Sequence, residues 1–346
     1  MIINIFYLED DNTIIKQFKE AVLRYNDENG ITINLTSVNQ LKEAEKIDLR
    51  DFDCAIIDLK IGNTNGAGSS YISKIYDKLI RLPTIIYTGT PNDIPDNIPI
   101  MKTFSKSEDK HTDVIEYIHQ IYKTGLTKIL GAKGTFEKTL HNVFKDIMIL
   151  EYEGWVNYIK NDEVDVEKSL LRHILNNIYY LLNNEHEKFV PEEYYLKYHS
   201  EKNISTGLIC NYNEKKYMII TPACDLANRK TTYIQLIEID SFDIVKNDYD
   251  KAKGKQTKEK DLKEKVNKNN LDCYHFLPKT QTFDQGYLNF RKLCSVEKEV
   301  FDKQIESNEI KPQAQISPYF IKDIIARFSS YYARQGQPLI IPFKST

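Results

Sequence analysis

Apolar runs of strand length alternate with amphipathic stretches along the first 125 residues of the chain. Five runs are rich in β-branched and aromatic side chains, namely residues 2–8, 31–35, 53–58, 84–88 and 100–104. Four stretches carry apolar side chains at helical spacing, namely residues 14–22, 41–47, 71–82 and 112–122. The run 53–58 is apolar between its ends, as expected of a parallel strand covered on both faces. The alternation predicts an α/β domain with a flavodoxin-like, doubly wound, five-stranded parallel sheet.

Polar side chains that can bind a ligand or take part in a reaction lie at or just beyond the ends of these runs. They are Glu9, Asp10, Asp58, Thr88 and Lys106. In open parallel α/β sheets the ligands bind beyond the carboxyl ends of the strands, so we expect these side chains to meet at one edge. Each of these residues alone would carry little weight, whereas their convergence predicts a functional site.

Four short motifs in this region resemble those of the receiver domain of bacterial response regulators. The motifs are LEDD at 8–11, IDL at 57–59, IYTG at 86–89 and FSK at 104–106. The separation of Asp58 from Thr88 is also similar to that of the family. The resemblance covers residues 1–125 and implies that Asp58 accepts a phosphoryl group from a histidine kinase or a phosphotransfer protein.

The chemistry of this transfer fits the other polar residues of the set. A phosphoryl group and an aspartate are both anions, so a divalent cation must offset their repulsion, and Mg²⁺ prefers oxygen ligands. The expected ligands are Glu9, Asp10, Asp58 and the backbone carbonyl of Lys60. Lys106 is expected to pair with a phosphoryl oxygen, and Thr88 is expected to offer it a hydroxyl group.

Three features depart from the receiver pattern. Residues 91–99 contain three prolines where receivers place a helix, and such a segment cannot form one. Ser107 replaces the usual proline after the lysine, and Thr103 stands where the usual switch aromatic would be. Phosphoryl chemistry can survive these changes, but the usual output and dimerisation surface is not expected to. A degenerate receiver that keeps the fold without accepting phosphate is therefore an alternative.

Residues 126–200 predict a helical connector. Helical periodicity covers residues 136–159 and 165–183, with Asp165 as the N-cap of the second helix. We expect the apolar stripes to pack within the chain, and a spacer, a lid or a homodimer interface are the alternatives. The stripe residues are Leu140, Val143, Phe144 and Ile147 in the first helix and Val166, Leu170, Ile174, Ile178 and Leu181 in the second.

Residues 201–346 predict an α+β output or interaction domain. Short strands are expected at 206–211, 216–221, 233–239 and 271–277, which is typical of a small barrel or curved sheet. A helix is expected from Pro318 to Arg334, with a stripe of Ile321, Ile324, Ile325, Phe328 and Tyr332. Residues 251–270 contain eight lysines, three acids and no aromatic residue, which is typical of an exposed, mobile insertion.

Three segments of this half resemble an uncharacterised bacterial module that is associated with phage-defence and conflict-system proteins. The segments are 219–226, 274–278 and 327–338, and the resemblance implies no known activity.

The same half holds residues with catalytic or metal-binding chemistry. Cys224, beside Asp225, could form a thiolate with His275 as the base. A metal site is the second interpretation, although its spacing matches no C-x₂-C pattern. Its candidate ligands are Cys210, Cys224, His275 and Cys273 or Cys294. Core cysteines with a hydrogen-bonded histidine are the third interpretation, which we favour.

Composition narrows the classes of function. The formal net charge of −3 gives no global electrostatic reason to expect a nucleic acid or an anionic membrane as a partner. No apolar run is long enough to span a bilayer, and the first residues lack the features of a signal peptide. Five cysteines without regular spacing argue against a disulfide framework. We therefore expect a cytoplasmic location.

These observations predict a phosphorylation-controlled response regulator of a two-component-like system, and the resemblance of the distal segments implies a place in phage defence. Output through contact with a protein effector is expected from residues 201–346. The alternatives are a phosphate sink, a pseudo-receiver adaptor, or an effector enzyme that uses Cys224, Asp225 and His275.

Overall fold

The chain forms two compact units, Met1–Glu185 and His186–Thr346. This computed structural model describes residues 1–62, 64, 66–91, 94, 98–160, 164–183, 188–199, 204–228 and 231–334. In those residues no helix is long and apolar enough to cross a membrane.

The first unit is built on a five-stranded sheet in the order β2-β1-β3-β4-β5, and every pair in it is parallel. Its strands are β1 (Ile2–Leu8), β2 (Thr32–Val38), β3 (Cys54–Ile57), β4 (Thr84–Thr88) and β5 (Lys102–Ser105). All residues of β3 and β4 are buried, as expected of central parallel strands covered on both faces. This strand order is that of the flavodoxin-like doubly wound fold, and the predicted fold class is confirmed.

Helices cover both faces of this sheet and enclose two apolar cores. The helices are α1 (Asn12–Asn29), α2 (Leu41–Ala44), α3 (Ala67–Asp77) and α4 (His111–Lys123). One core lies beneath α1 and α4, and the other lies beneath α2 and α3. Between β4 and β5 the described residues contain no helix, as the prolines predict, and part of the segment 91–99 lies outside those residues.

The remaining helices of the first unit are α5 (Leu126–Leu130), α6 (Thr135–Val143), α7 (Ile149–Val156) and α8 (Val166–Leu182). A π-helical turn from Phe144 to Met148 joins α6 to α7, so the predicted helix at 136–159 contains an irregular turn and ends earlier than expected. Asp165 caps α8 by accepting a hydrogen bond from the backbone N–H of Lys168, as predicted.

The predicted inward stripes of this helical segment are mainly half-buried, as at Leu140, Ile147, Val166, Leu170 and Ile174. Val143 and Ile178 are buried, but Phe144 and Leu181 are more than half exposed. Several further apolar side chains of α7 and α8 are also exposed, namely Ile149, Leu150, Leu171, Leu175, Tyr179 and Tyr180. Apolar periodicity identified the helices, but it did not show how little of their apolar surface is covered.

The second unit is built on a curled antiparallel sheet of seven strands in the order β10-β11-β9-β8-β7-β12-β6. The strands are β6 (Tyr195–Lys197), β7 (Leu208–Tyr212), β8 (Lys215–Ile219), β9 (Tyr233–Asp240), β10 (Tyr274–Leu277), β11 (Gly286–Glu297) and β12 (Lys311–Ile316). The predicted barrel-like sheet is confirmed. The sequence analysis did not identify β6, β11 and β12.

The helices of the second unit are α9 (Ala223–Ala227), α10 (Phe242–Lys253), α11 (Glu259–Asn267), α12 (Lys298–Glu306) and α13 (Pro318–Tyr332). The lysine-rich segment 251–270 is not wholly exposed as expected, because α11 lies within it and buries Leu262 and Val266. In α13 the core-facing stripe includes Tyr331 where Tyr332 was predicted, and Ile325 is exposed. Residues 335–338, at the end of the segment 327–338, lie outside the described residues.

Candidate functional site

The structure brings the predicted polar residues of the first unit together at the carboxyl edge of its sheet. Glu9 and Asp10 follow β1, and Asp58 follows β3. Because Leu8 pairs with Ile57, Glu9 and Asp58 leave the sheet side by side. Thr88 ends β4, and Lys106 comes directly after β5. The parallel register therefore places side chains that are almost 100 residues apart in sequence at a single site.

An ammonium group bridges two buried carboxylates at the centre of this site. Lys106 Nζ lies 2.6 Å from Asp58 Oδ2 and 2.6 Å from Glu9 Oε2. Glu9 is 0% exposed and Asp58 is 5% exposed, so these contacts are shielded from solvent. Burial raises the pKa of Glu9, while the hydrogen bond from Lys106 opposes that change. Burial acts to lower the pKa of Lys106, but the hydrogen bonds to Asp58 and Glu9 outweigh it and the pKa is raised.

The three carboxylates are close enough to share one cation. Glu9, Asp10 and Asp58 each place an oxygen within 4.8 Å of the others. Oxygens around an octahedral Mg²⁺ are about 3–4 Å apart, so small side-chain movements would complete the set. With all groups ionised, three carboxylates and one ammonium give −3 + 1 = −2, which a divalent cation would balance. All the candidate donors are oxygens, so the site fits Mg²⁺.

Backbone N–H groups in the loops that follow the strands contact the polar side chains of the site. The N–H of Gly62 donates to Asp10 Oδ2 at 2.8 Å, and Gly62 adopts a φ of 62°, which favours glycine. The N–H of Lys60 lies 3.4 Å from Asp58 Oδ1. The hydroxyl oxygen of Thr88 accepts a hydrogen bond from the N–H of Thr90 at 3.3 Å. The role of the Lys60 carbonyl as a metal ligand stays a prediction.

Tyr7 is part of this site, and the sequence analysis missed it. Its hydroxyl donates to Glu9 Oε2 at 3.0 Å, so that oxygen accepts from both Tyr7 and Lys106. Burial raises the pKa of Tyr7, with the Glu9 charge adding to the effect, so the phenol remains a donor. The signal was present, because residues two apart in a strand share one face of the sheet.

Gly68 is a second residue that the sequence analysis missed. It lies in the first turn of α3, where a Cβ atom would stand 1.9 Å from the backbone oxygen of Asp58. Its N–H donates to the backbone oxygen of Leu59 at 3.1 Å. The helix therefore approaches the strand end so closely that only glycine fits.

In the described residues of the second unit, no hydrogen bond joins the residues of the proposed Cys–His pair. Cys224 is exposed, and its nearest hydrogen-bond partner is Asp225 at 3.6 Å. The ring of His275 is buried, and its Nε2 lies 2.8 Å from the hydroxyl of Tyr194. The Nδ1 atom lies 3.7 Å from Asp323 Oδ2. His275 thus contacts Tyr194 and Asp323, and Cys224 is not among its hydrogen-bond partners in the described part of the chain.

The alternative metal site also finds no support in the geometry. Among the described residues, Glu9, Asp10 and Asp58 are the one group of three or more candidate ligands close enough to share an ion. Cys210 is buried, and Cys273 and Cys294 are partly buried. Burial raises the pKa of each of these thiols, as expected for cysteines that pack as small apolar side chains.

Acid is expected to destabilise the second unit through His275. Burial lowers the pKa of His275 to about 3, whereas the unfolded chain binds this proton near pH 6.5. The neutral His275 ring therefore makes its full contribution to stability above pH 6.5. As the pH falls from 6.5 towards 3, the free energy of unfolding decreases by up to about 1.4 kcal/mol per pH unit. Hydrogen exchange of the Tyr274–Leu277 strand at pH 7 and pH 5 measures this loss.

His275→Gln should reduce the acid sensitivity, since glutamine keeps a polar group towards Tyr194 without gaining a proton. His199→Gln is the control, because His199 is exposed. Equal acid sensitivity in the wild type and in His275→Gln would contradict the assignment.

Comparison with solved structures finds response-regulator receiver domains, and they cover about 35% of the chain, at its N-terminal end. The Francisella response regulator 1452 receiver domain is 20% identical, with a TM-score of 0.28, and the match covers 35% of this chain and 97% of that one. A CheY-like receiver domain from Methylobacillus flagellatus is 15% identical, with a TM-score of 0.29 and coverage of 35% and 99%. The response regulator TrrA from Thermotoga maritima, solved in complex with Mg²⁺ and BeF, is 17% identical, with a TM-score of 0.29 and coverage of 34% and 98%.

No family model matches the sequence, and no curated protein matches it. The fold of the first unit is defined by its own strand order and its parallel pairing.

Proposed function

We propose that the first unit accepts a phosphoryl group on Asp58 and that the chain acts as a response regulator. The observation that carries this proposal is the bridge from the Lys106 ammonium to Asp58 and Glu9, at the strand edge where Asp10 and Thr88 also lie. Open parallel sheets bind their ligands at this edge. A histidine kinase or a phosphotransfer protein is the proposed donor.

The reaction is a displacement at phosphorus. One carboxylate oxygen of Asp58 attacks, a new O–P bond forms, and the bond from phosphorus to the donor nitrogen or acyl oxygen breaks with its electron pair leaving on the donor. Glu9, Asp10, Asp58 and the carbonyl of Lys60 would hold a divalent cation, which would offset the repulsion between the two anions. Lys106 is already hydrogen-bonded to Asp58 and can transfer its contact to a phosphoryl oxygen.

Thr88 is the proposed sensor of the phosphorylated state. Its side chain is buried beside the strand that carries Asp58, and its hydroxyl can donate to a phosphoryl oxygen while it accepts from Thr90. A contact of this kind would draw the loop after β4 towards Asp58. Phosphorylation adds negative charge and acceptor oxygens, which is sufficient to reorder a neighbouring segment.

Output through protein contact is proposed for the second unit, in a cytoplasmic protein that uses Mg²⁺. A place in phage defence rests on the sequence resemblance of segments 219–226, 274–278 and 327–338 alone. Catalysis by Cys224, Asp225 and His275 is not proposed, because His275 is hydrogen-bonded to Tyr194 and its lowered pKa makes it a poor base.

Acetyl phosphate with Mg²⁺ tests the proposal directly. Intact mass of the wild type should show a gain of one phosphoryl group, and the gain should be absent from Asp58→Asn and from samples treated with EDTA. Asp51→Asn is the matched control, since it removes an exposed carboxylate of the same unit, and it should gain mass as the wild type does. Hydrogen exchange in the presence of beryllofluoride should change beyond residue 135 if phosphorylation is coupled to the distal part.

Absence of a mass gain in the wild type would show a pseudo-receiver. A gain that persists in Asp58→Asn would place the acceptor at another residue. Either result would overturn the proposal.

A further inference from the structure

Arginine side chains surround the first residues of β10 in the second unit. Arg327 Nη2 donates to the backbone oxygens of Asn269 at 2.9 Å and of Tyr274 at 3.1 Å. Arg291 Nη2 donates to the hydroxyl of Tyr274 at 2.7 Å. These contacts lie outside the phosphoryl-acceptor site, which belongs to the first unit.

A third arginine, Arg334, completes this group. Its Nη1 lies 2.8 Å from Asp272 Oδ2, in an ion pair whose side chains are 55% and 70% exposed. Exposed ion pairs are weak and can be displaced by a competing anion. Arg327, Arg334 and Asp272 line one cavity, where two guanidinium groups and one carboxylate give a local charge of 2 − 1 = +1 in a chain whose formal net charge is −3.

A cavity of about 340 Å³ opens between α13 and the start of β10. Its lining residues are Asp272, Ala326, Arg327, Ser330, Tyr331 and Arg334. The volume is at the lower end of the range for small-molecule sites. Arg327, Ser330 and Tyr331 share one face of α13, and Arg334 follows the end of the helix, so these residues bring guanidinium and hydroxyl groups to the same cavity.

Arg327 carries a donor, Nε, that no described residue accepts from. Its Nε is buried and has no hydrogen-bond partner among the residues that the structure describes. The two bonds from Nη2 fix the guanidinium against β10, so its orientation is set without Nε. Because Nε is buried and Nη2 is engaged, Nη1 is the part of the Arg327 guanidinium left to contact a ligand in the cavity.

We propose that this cavity binds a small ligand through a phosphate group held between Arg327 and Arg334. Arg334, which is exposed, can match phosphate oxygens with paired N–H bonds, and Arg327 can add the N–H groups of its Nη1. Ser330 and Tyr331 line the same cavity and carry hydroxyl groups. The carboxylate of Asp272 occupies Arg334 in the free protein and competes with the ligand. This site is separate from the proposed function of Asp58 and does not depend on it.

Inorganic phosphate is the probe that tests this proposal. Isothermal titration of the full chain at pH 7.5, at constant ionic strength and with EDTA present, should show saturable binding at one site. Arg334→Gln should weaken the binding about tenfold, and Asp272→Asn should strengthen it several-fold by removing the competing carboxylate. Both side chains are exposed, so neither variant should unfold the protein. If the ion pair had a purely structural role, the two variants would not change phosphate affinity in opposite directions.

Lys279→Gln is the matched control, because it removes one positive charge of the same unit from an exposed residue outside the cavity lining. It should leave phosphate affinity unchanged, and acetate should not bind at the concentrations used. The proposal fails if no saturable binding occurs up to ~20 mM phosphate. It also fails if Arg334→Gln has no effect, if Asp272→Asn weakens binding, or if acetate binds as well as phosphate.

Discussion

Lys106→Met is expected to destabilise the first unit by about 3–5 kcal/mol at pH 7 in the absence of divalent cations. The ammonium of Lys106 contacts both Glu9, which is 0% exposed, and Asp58, which is 5% exposed. Methionine has a similar length and removes the charge, so two buried carboxylates would face each other without a cation. Urea unfolding in EDTA measures the loss of free energy.

The loss should become smaller when the solution is acidified. Burial already raises the pKa of Glu9, and removal of Lys106 removes the hydrogen bond that opposes this. A carboxyl whose folded pKa is raised contributes stability below its unfolded pKa and loses that contribution as the pH rises through the folded pKa. Lys106→Met should therefore be less destabilised at pH 5 than at pH 7.

A second substitution distinguishes two causes of the lost stability, the unpaired buried charge and the lost packing of the Lys106 side chain. Glu9→Gln in the Lys106→Met background should recover part of the stability, since one buried charge is removed and Tyr7 keeps a hydrogen-bond acceptor. Lys74→Met is the control, because Lys74 forms an ion pair with Glu45 in which both side chains are about half exposed. It should cost at most about 1 kcal/mol. Additive free-energy changes for Glu9→Gln and Lys106→Met would rule out the charge explanation.

The sequence predicts the first unit well because its signals are local and regular. The central strands β3 and β4 are buried and mainly apolar, and the acidic residues, Thr88 and Lys106 stand at strand ends, where the fold class places ligands. The bridging position of Lys106 between Glu9 and Asp58 could not be predicted, because it depends on side-chain conformation in three strand ends at once. The close packing at Gly68 was hidden for a similar reason, since its partner is a backbone oxygen ten residues away.

The second unit was harder to predict because its strands are irregular. β11 is the longest strand, and its pairing with β9 shifts register between Leu288 and Leu293. A bulge of this kind reverses the alternation of inward and outward side chains, so the period-two signal is interrupted within the strand. The pairing of Cys224 with His275 was suggested by residue type alone, and the sheet places the His275 ring against Tyr194 instead.

Gly68→Ala is expected to destabilise the first unit by about 3 kcal/mol. The added Cβ would stand 1.9 Å from the backbone oxygen of Asp58 and 2.9 Å from Cα of Leu59. These are backbone atoms at the end of a buried strand, so they cannot rotate away as a flexible side chain could. Thermal or urea unfolding measures the loss, and phosphoryl transfer from acetyl phosphate should also slow, because the displaced backbone belongs to Asp58.

Gly154→Ala is the matched control for this substitution. Gly154 lies within α7, and a Cβ atom there would meet no atom within 4 Å. Alanine has the higher helix propensity, so this variant should be stabilised by about 0.5–1 kcal/mol. The two glycine substitutions should thus change stability in opposite directions within one unit. A similar change in both variants would show that α3 can move away from Asp58, and that the close approach at Gly68 does not position Asp58.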